Sequence, residues 1–579
     1  MQERNMGSRP GRFRFRPRAL ELFAGNYHSG NFSRDVTAGM TVGVIALPLA
    51  LALGIASIPQ GLATPLPAPA LGIFTAIIAG FLISALGGSR VQIGGPTAAF
   101  IPIILMIIDK HGYAGLLVST MMAGVILVIM GLSGMGSLIK YIPWPVTSGF
   151  TTGIAVAIMA TQTGDFLGIH TDEPAPREFL ERMHWLWNHA ADIHLPTVGV
   201  SIACLAVIIW WPKIGWKQIP GSIVAMLGAT VLVAGFGWLS SSEISTIGSK
   251  FGASAIPSGL PSFSLPHCEW SMVRDLIGPA TAIAMLGAIE SLLSAVVADG
   301  LIHERHDSNT ELVAQGIANI FCPFFGGLPA TGAIARTSAN INHGGRSPVS
   351  GMIHAITLLG IVLLFAKWAV YVPMAAMSAV LVFVALRMGE WHEMTRLRRM
   401  PVSDAVVLLT TFALTVIFDL VVAVEVGMVL AAMLFIKRVS ETTEVSRVLE
   451  SDVLESPEQL VAGKPIPEGV LVYRIFGPFL FGAAEKMENA IEQLETMPKV
   501  LILRLHLVSA MDKTALNALE SVIERFQRHN GTVILSGLHR QPLDMLRKAG
   551  FVEVIGRKNL VAHFDDALDR ARALLKMPG

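Results

Sequence analysis

The sequence is poor in cysteine and in charge. Its 579 residues include three cysteines, and Cys204, Cys268 and Cys322 lie too far apart in sequence to form a CxxC pair. This spacing argues against a disulfide framework and against a cysteine zinc site. Charged residues make up 15% of the chain, whereas soluble domains contain about 25%. The net charge of +1 provides no global field that would recruit nucleic acid.

Signatures of ATP hydrolysis and of hydrolytic catalysis are also missing. The chain contains no GxxxxGK[ST] phosphate loop, no GxSxG elbow and no HExxH motif. We therefore expect neither an enzyme nor an ATP-driven pump, and we expect no cofactor and no bound metal. What the sequence does have is 52% hydrophobic residues, which indicates a polytopic membrane protein with a soluble appendage.

Composition divides the chain into four segments. Residues 1–35 form an arginine-rich arm, and residues 36–438 are almost continuously apolar. Residues 439–468 are polar and acidic, as is typical of a linker. In residues 469–579, strand-like runs such as Val470–Ile475 and Lys499–Leu507 alternate with helix-like runs, which predicts an α/β domain of normal size.

The apolar segment is long enough for fourteen membrane spans, which divide into seven plus seven. An odd number of spans in each half inverts the second half relative to the first. The predicted fold class is therefore an all-α polytopic membrane protein, with 14 transmembrane segments as a 7+7 inverted repeat, followed by a cytoplasmic α/β domain.

Basic residues favour a cytoplasmic location for both termini. Seven arginines lie within the first 34 residues, and basic residues also follow the sixth, twelfth and fourteenth predicted spans. The loop 164–195 is acidic instead, so the positive-inside rule places it outside. A transit peptide is the alternative reading of the arginines, but Asp35 leads directly into an apolar span.

Two predicted spans, 94–108 and 331–343, are too short to cross a bilayer as ordinary helices. The first opens with Gly94-Gly95-Pro96, and the second follows Pro329 and contains Arg336. They occupy corresponding positions in the two halves, which is the sequence pattern of a transport site built from broken helices. A helix that begins within the membrane presents unpaired N–H groups, so two such ends facing one another would attract an anion. The alternative is that the small residues only permit tight helix packing.

Glu290 is the acidic residue in the interior of the predicted span 275–298, which begins at Asp275. A carboxylate within the membrane is costly and therefore suggests a functional role. We predict that Glu290 takes up and releases a proton during each transport cycle. A structural ion pair between Glu290 and Arg336 is the alternative.

Several ordered motifs resemble the sulfate permease (SulP) family of anion transporters. The stretch 324–337, FFGGLPATGAIART, is the most specific of them, and the runs Gly94–Phe100, Lys140–Phe150 and Gly287–Ser294 also match. The tail resembles the STAS domain that ends most members. The resemblance covers nearly everything from about residue 33 to the C-terminus.

The resemblance implies a core-plus-gate arrangement with elevator-like alternating access and a homodimer in the membrane. It also implies an anion held between the third and tenth helices. By position, the third helix would bind the substrate through Gly95, Pro96, Thr97 and Ala98, and the tenth through Gly332, Ala333, Ile334 and Ala335, with Arg336 adding charge. Glu290 would lie beside them as the proton-coupling residue.

Departures from the family pattern point to the substrate. Sodium-coupled bicarbonate members carry Asp at the Glu290 position and Thr at the Ile334 position, and Ile334 offers no oxygen to a sodium ion. Many sulfate transporters have Pro-Gln where this chain has Pro48-Leu49. The sequence looks most like the bacterial C4-dicarboxylate members, which implies proton-coupled uptake of succinate or fumarate across the inner membrane. Sulfate or bicarbonate transport, a passive anion channel, and a membrane scaffold acting through the STAS domain are the alternatives.

The STAS-like tail lacks the usual phosphorylation pattern. Bacterial members of that domain family place a phosphorylatable Ser after an Asp at the start of a helix, whereas Asp512 is followed here by Lys513 and Thr514. We therefore expect the tail to dock a cytoplasmic protein partner rather than to act as a phosphorylation switch.

Overall fold

The structure is a computed structural model, and it describes residues 15–22, 29–59, 62–137, 143–169, 171, 175–176, 178–214, 219–238, 244–252, 254–266, 270–418, 420–448, 465–494 and 496–576. Most of the predicted N-terminal arm, Cys268, residues 140–142 of the matched motifs and residues 449–464 of the predicted linker lie outside these ranges. The chain divides into two compact units, Met1–Val429 and Leu430–Gly579.

The first unit is helical. Its helices are α1 (Ser29–Ser57), α2 (Ala68–Leu86), α3 (Ile101–Leu132), α4 (Trp144–Leu167), α5 (Phe179–Asn188), α6 (Leu195–Trp210), α7 (Gly221–Gly235), α8 (Ile247–Phe251), α9 (Trp270–Asp275), α10 (Ile277–Ile302), α11 (Ser308–Phe321), α12 (Ile334–Asn342), α13 (Pro348–Ala369), α14 (Met374–Met388), α15 (Trp391–Thr395) and α16 (Val402–Ile417). Helix α17 (Leu420–Thr442) contains the boundary between the units.

Apolar composition suits many of these helices to a membrane, and proline marks where several of them begin. Proline stands in the first turn of α2, α4, α6 and α13, where its fixed φ suits the helix and its missing N–H costs nothing. Six helices among the described residues are long and apolar enough to cross a membrane, and α7, α14 and α16 are shorter apolar helices. The number fourteen stays a prediction.

Helix α3 contains a sharp break at Gly112, whose φ of 68° lies outside the helical region. Glycine adopts this conformation without the steric penalty that a Cβ would bring. The break falls between the predicted spans 94–108 and 113–135, and it lets one apolar run contain two helical segments.

The starts of the two predicted half-helices are joined by a small antiparallel sheet. Strand β1 (Gly94–Gly95) pairs with β2 (Thr331–Gly332), with Gly94 opposite Gly332 and Gly95 opposite Thr331. From β1 the chain continues through a 3-10 turn, Ala98–Phe100, into α3, and from β2 it continues into α12. Residues 236 and 238 positions apart in sequence are thereby held side by side within a largely apolar core.

The second unit is an α/β fold. Its strands β3 (Glu444–Arg447), β4 (Val470–Phe476), β5 (Val500–Leu507), β6 (Thr532–Ser536) and β7 (Leu560–Val561) form one sheet in that order. Strands β3 and β4 are antiparallel and the other pairs are parallel. The helices are α18 (Phe481–Glu492), α19 (Lys513–Arg528), α20 (Arg540–Lys548), α21 (Phe551–Ile555) and α22 (Phe564–Lys576).

Strand β3 lies inside the segment that the sequence assigns to a linker. Its residues Glu-Val-Ser-Arg are mostly polar and half-exposed, as suits an edge strand, so composition alone does not distinguish them from a loop. Pairing with β4 supplies the backbone hydrogen bonds that make this segment a strand.

Candidate functional site

Both half-helices begin without a side-chain cap. Thr97 precedes the 3-10 turn that leads into α3, and Ala333 precedes α12; both have extended backbone conformations, and neither side chain accepts a hydrogen bond from the helix start. The first N–H groups of such helices carry a partial positive charge. Because β1 pairs with β2, the two positive ends lie on either side of one small sheet.

Glycine allows this close approach. A Cβ placed on Gly95, whose φ is +151°, would lie 2.3 Å from Nη1 of Arg336. A Cβ on Gly332 would lie 1.7 Å from Nε2 of Gln92. Neither position therefore has room for a side chain, and the two glycines are required by contacts with polar side chains rather than by turn geometry alone.

Arg336 supplies a full positive charge at this place. Its side chain is 1% exposed, and Nη2 donates a hydrogen bond of 3.2 Å to the carbonyl oxygen of Pro96. Nε and Nη1 are buried and have no hydrogen-bond partner among the described residues. Burying an unpaired guanidinium is costly, so the arrangement is suited to a ligand that brings negative charge.

Glu290 lies beside the first helix start. Its carboxylate is next to the hydroxyl of Thr97, which is itself buried and makes no hydrogen bond of normal geometry within the described part of the chain. Glu290 is half-buried. Within that same part, neither Glu290 nor Arg336 belongs to an ion pair.

Two exposed residues in the first turn of α12 give access to the site. Ile334 is 38% exposed and Ala335 is exposed, although Ala333 and Arg336 on either side are buried. Thr97 is also only half-buried. The structure therefore brings all the predicted residues together: Gly95, Pro96, Thr97 and Ala98 at one helix start, Gly332 to Arg336 at the other, and Glu290 beside them.

Buried side chains that sequence reasoning missed hold the second helix start in place. Asn319 of α11 accepts a hydrogen bond from Ala330 N (2.9 Å) and donates one to Ala330 O (2.8 Å). Thr331 Oγ1 donates to Gly287 O of α10 (2.8 Å). Thr337 Oγ1 accepts from Ile93 N (3.1 Å), which ties α12 to the residue before β1.

Gln92 connects the first helix start to α10. Its Nε2 donates to both O and Oγ of Ser291, each at 3.1 Å, and Ser291 directly follows Glu290. Farther along α10, Ser294 Oγ donates to Thr337 Oγ1 (3.3 Å). The only sequence signal for Gln92 and Asn319 is a polar residue within an apolar run, which does not reveal its partner.

This arrangement combines buried positive charge with a nearby titratable carboxylate. Two uncapped helix starts and one guanidinium provide the positive charge, and one carboxylate lies within the same group of residues. Among the residues that the structure describes, no group of three or more His, Cys, Asp or Glu side chains could hold a metal ion.

Sequence comparisons match the chain to known proteins over both units. The profile of the sulfate permease family matches residues 32–411, and the profile of the STAS domain matches residues 463–569. YvdB of Bacillus subtilis, which is named as a candidate sulfate transporter, is 39% identical over 541 residues, covering 93% of this chain and 98% of its own length. The bicarbonate transporter BicA of Synechocystis is 31% identical over 568 residues, covering 94% and 95%.

Solved structures share the fold. The murine anion transporter Slc26a9, described in an inward-facing state, superimposes with a TM-score of 0.84 at 17% identity, covering 99% of this chain and 97% of that chain. The transmembrane domain of a cyanobacterial BicA superimposes with a TM-score of 0.59 at 30% identity, covering 69% of this chain and 98% of that one.

Proposed function

We propose that this chain, which belongs to the sulfate permease family, is a secondary active transporter that takes up a small dicarboxylate together with a proton. Members of this family are membrane anion transporters and not enzymes. Succinate and fumarate are the proposed substrates. The observation that carries the proposal is the buried, unpaired Arg336 between two uncapped helix starts.

Charge balance favours a substrate with two carboxylates. Arg336 contributes one positive charge, and each helix start contributes roughly half a charge, so the site can offset about two negative charges. Glu290 adds a negative charge when ionised and none when protonated. A divalent anion is therefore best accommodated when Glu290 carries a proton, which couples uptake of the anion to uptake of the proton.

The site offers little support for sodium coupling. Ile334 has no side-chain oxygen, and its side chain is among the exposed groups at the start of α12. Sodium prefers oxygen ligands, and this position offers only an aliphatic surface. Proton coupling through Glu290 remains the proposal that uses a titratable group already in the site.

The transport cycle we propose is elevator-like: one part of the transmembrane unit carries the site across the membrane. We further propose a homodimer in the bacterial inner membrane with both termini in the cytoplasm, since the basic segments then lie inside. The STAS domain would bind a cytoplasmic protein. Its Asp512 is used as a helix cap, because Oδ1 accepts a hydrogen bond from Ala515 N at 2.8 Å.

Bicarbonate or sulfate transport is the second candidate, favoured by the names of the relatives at 31% and 39% identity. Backbone N–H groups recognise charge and size more than chemical identity. The sequence departures at Pro48-Leu49 and Ile334 favour the dicarboxylate.

Uptake by the purified protein in liposomes tests the proposal. We expect labelled succinate to accumulate against its gradient when the outside is acidic, and fumarate to compete better than sulfate or bicarbonate. Glu290→Gln should abolish the response to the pH gradient while leaving succinate exchange. Flux that only follows the succinate gradient would instead indicate a channel, and accumulation by Glu290→Gln equal to that of wild type would refute the role of Glu290.

A further inference from the structure

A buried histidine lies behind the candidate site. His354 of α13 is 0% exposed, and neither Nδ1 nor Nε2 has a hydrogen-bond partner within the described residues. The carbonyl group of Gly351, one turn earlier, is nearby but outside normal hydrogen-bond geometry. A neutral imidazole has one donor and one acceptor, so both are left without a protein partner in the interior.

His354 and Arg336 lie against the same short strand. The position of a Cβ on Gly80 of α2 is 3.3 Å from Cε1 of His354, 3.4 Å from Nδ1 and 3.2 Å from the carbonyl oxygen of Gly94. Nη1 of Arg336 lies over the neighbouring Gly95. Arg336 is within electrostatic range of His354, and each side chain contains two buried nitrogens without a protein partner.

The helices around His354 provide Arg336 with no ion-pair partner, and Glu290 of α10, the carboxylate of the site, forms no ion pair with it among the described residues. Helix α2 contains no charged residue, and α12 contains Arg336 as its charged residue. On α1, Asp35 is buried but is engaged by the N–H groups of Arg346 and Ser347 and by the hydroxyl of Ser347, and Arg34 is exposed. On α13 itself the charged residue is Lys367, more than three turns away from His354.

This environment requires His354 to be neutral. An imidazolium beside an unpaired guanidinium would bury two like charges, which is far more costly than burying one. A neutral imidazole, in contrast, adds polar groups without changing the net charge. Buried water commonly satisfies such groups when several of them line the same space.

We propose that His354 is a positioning residue for Arg336: as a neutral polar neighbour, it holds the guanidinium through buried water and leaves its positive charge available to the transported anion. This inference rests on the proposed function, because it concerns the same anion site. It explains why a polar, uncharged side chain occupies a position where a carboxylate would form an ion pair with Arg336 and neutralise the site.

Two nearly isosteric substitutions test this proposal. His354→Gln keeps a neutral donor and acceptor, whereas His354→Glu differs mainly by adding a negative charge beside Arg336. We expect His354→Gln to bind the anion within about threefold of wild type, and His354→Glu to bind it at least about tenfold more weakly, since a charged contact is worth that much. Binding is measured on the purified full-length protein with succinate, sulfate and bicarbonate as separate probes.

A matched control separates electrostatics from the general cost of a buried carboxylate. Gln162 is a buried amide on α4, where its Nε2 donates to Thr161 Oγ1 (3.2 Å). Gln162→Glu makes the same amide-to-acid change on a helix that contributes none of the predicted site residues, and it should leave anion affinity unchanged. Thermal unfolding of each variant shows whether it folds.

The outcomes are distinguishable. If wild type does not bind succinate, the proposed dicarboxylate function fails. If wild type binds any of the three anions and the His354→Gln and His354→Glu variants bind it equally, the role of His354 is refuted while the anion site stands. His354→Phe adds a second readout: removing both nitrogens should weaken binding at unchanged maximal rate, and an affinity equal to that of His354→Gln would also contradict the proposal.

Discussion

The two largest fully buried side chains in the described structure are both arginines, and they lie in different units. Arg504 on strand β5 of the α/β unit places its guanidinium 4.7 Å from the centre of the Phe564 ring, which is also fully buried. Arg336 in the transmembrane unit has one hydrogen bond to a carbonyl oxygen and two nitrogens without a protein partner.

The two buried arginines differ in what offsets the cost of burying their charge. Arg504 packs its guanidinium face on an aromatic ring, an interaction that stabilises a cation within the fold. Arg336 has no aromatic or acidic partner among the described residues, so its cost is offset only when an anion arrives. We therefore expect Arg504 to affect stability and Arg336 to affect binding.

The largest expected effect is on stability. Arg504→Ala removes the contact with Phe564 and leaves a cavity, which should destabilise the α/β unit by about 2–4 kcal/mol. Hydrogen exchange of the β5 amides in the full-length protein should become faster, while anion affinity stays at the wild-type value. A large loss of anion affinity without faster amide exchange would show that Arg504 acts on binding and not on stability.

The second prediction is the converse. Arg336→Gln should weaken anion binding by about 1.5–3 kcal/mol, or roughly tenfold to hundredfold in Kd, because a charge-assisted contact is lost. Stability should not fall, since an unpaired buried charge is removed. Binding titration and thermal unfolding measured on the same sample check both parts; lower stability with unchanged Kd would mean that Arg336 is structural.

A third prediction concerns the space that Arg336 occupies. Gly95→Ala would place a Cβ 2.3 Å from Nη1 at a φ of +151°, so the guanidinium must move and anion affinity should fall by about tenfold, a cost of about 1–2 kcal/mol. Gly300→Ala on α10 is the matched control, because a Cβ there meets no atom within 4 Å. Equal affinities for the two variants would show that Arg336 does not need its present position.

The smallest expected effect lies at the α/β unit. Asp512→Ala removes the cap of α19, which should cost about 1 kcal/mol of stability. Succinate uptake should remain at the wild-type rate, measured in liposomes at a temperature well below unfolding. A strong change in transport would show that this helix start acts on the transmembrane unit.

Sequence patterns were sufficient to predict where the two facing helix starts lie, although the first of them leads into the long, broken helix α3, and the binding roles of the residues there stay a prediction. Glycine and proline within an apolar run predict a broken helix. They occur in Gly94-Gly95-Pro96 and in the segment from Pro329 to Arg336. The membership in the sulfate permease family and the α/β tail were also readable from motifs and from alternating strand and helix patterns.

The contacts that position those residues could not be predicted from the sequence. Gln92, Asn319 and His354 look like isolated polar residues in apolar runs, and their roles depend on neighbours between 11 and 199 positions away or on a different helix. Strand β3 was not predicted either, because its pairing with β4, and not its composition, makes this segment a strand. Helix breaks depend on neighbouring residues and can be predicted from the sequence. Contacts between residues far apart in sequence become visible only in the folded structure.

The decisive measurement is a structure of the protein in complex with succinate. We expect density for succinate in contact with the N–H groups of Ala98 and Ile334, close to Nη1 of Arg336 and beside Glu290. Density for the anion elsewhere in the transmembrane unit, with the two helix starts covered by protein side chains, would contradict it.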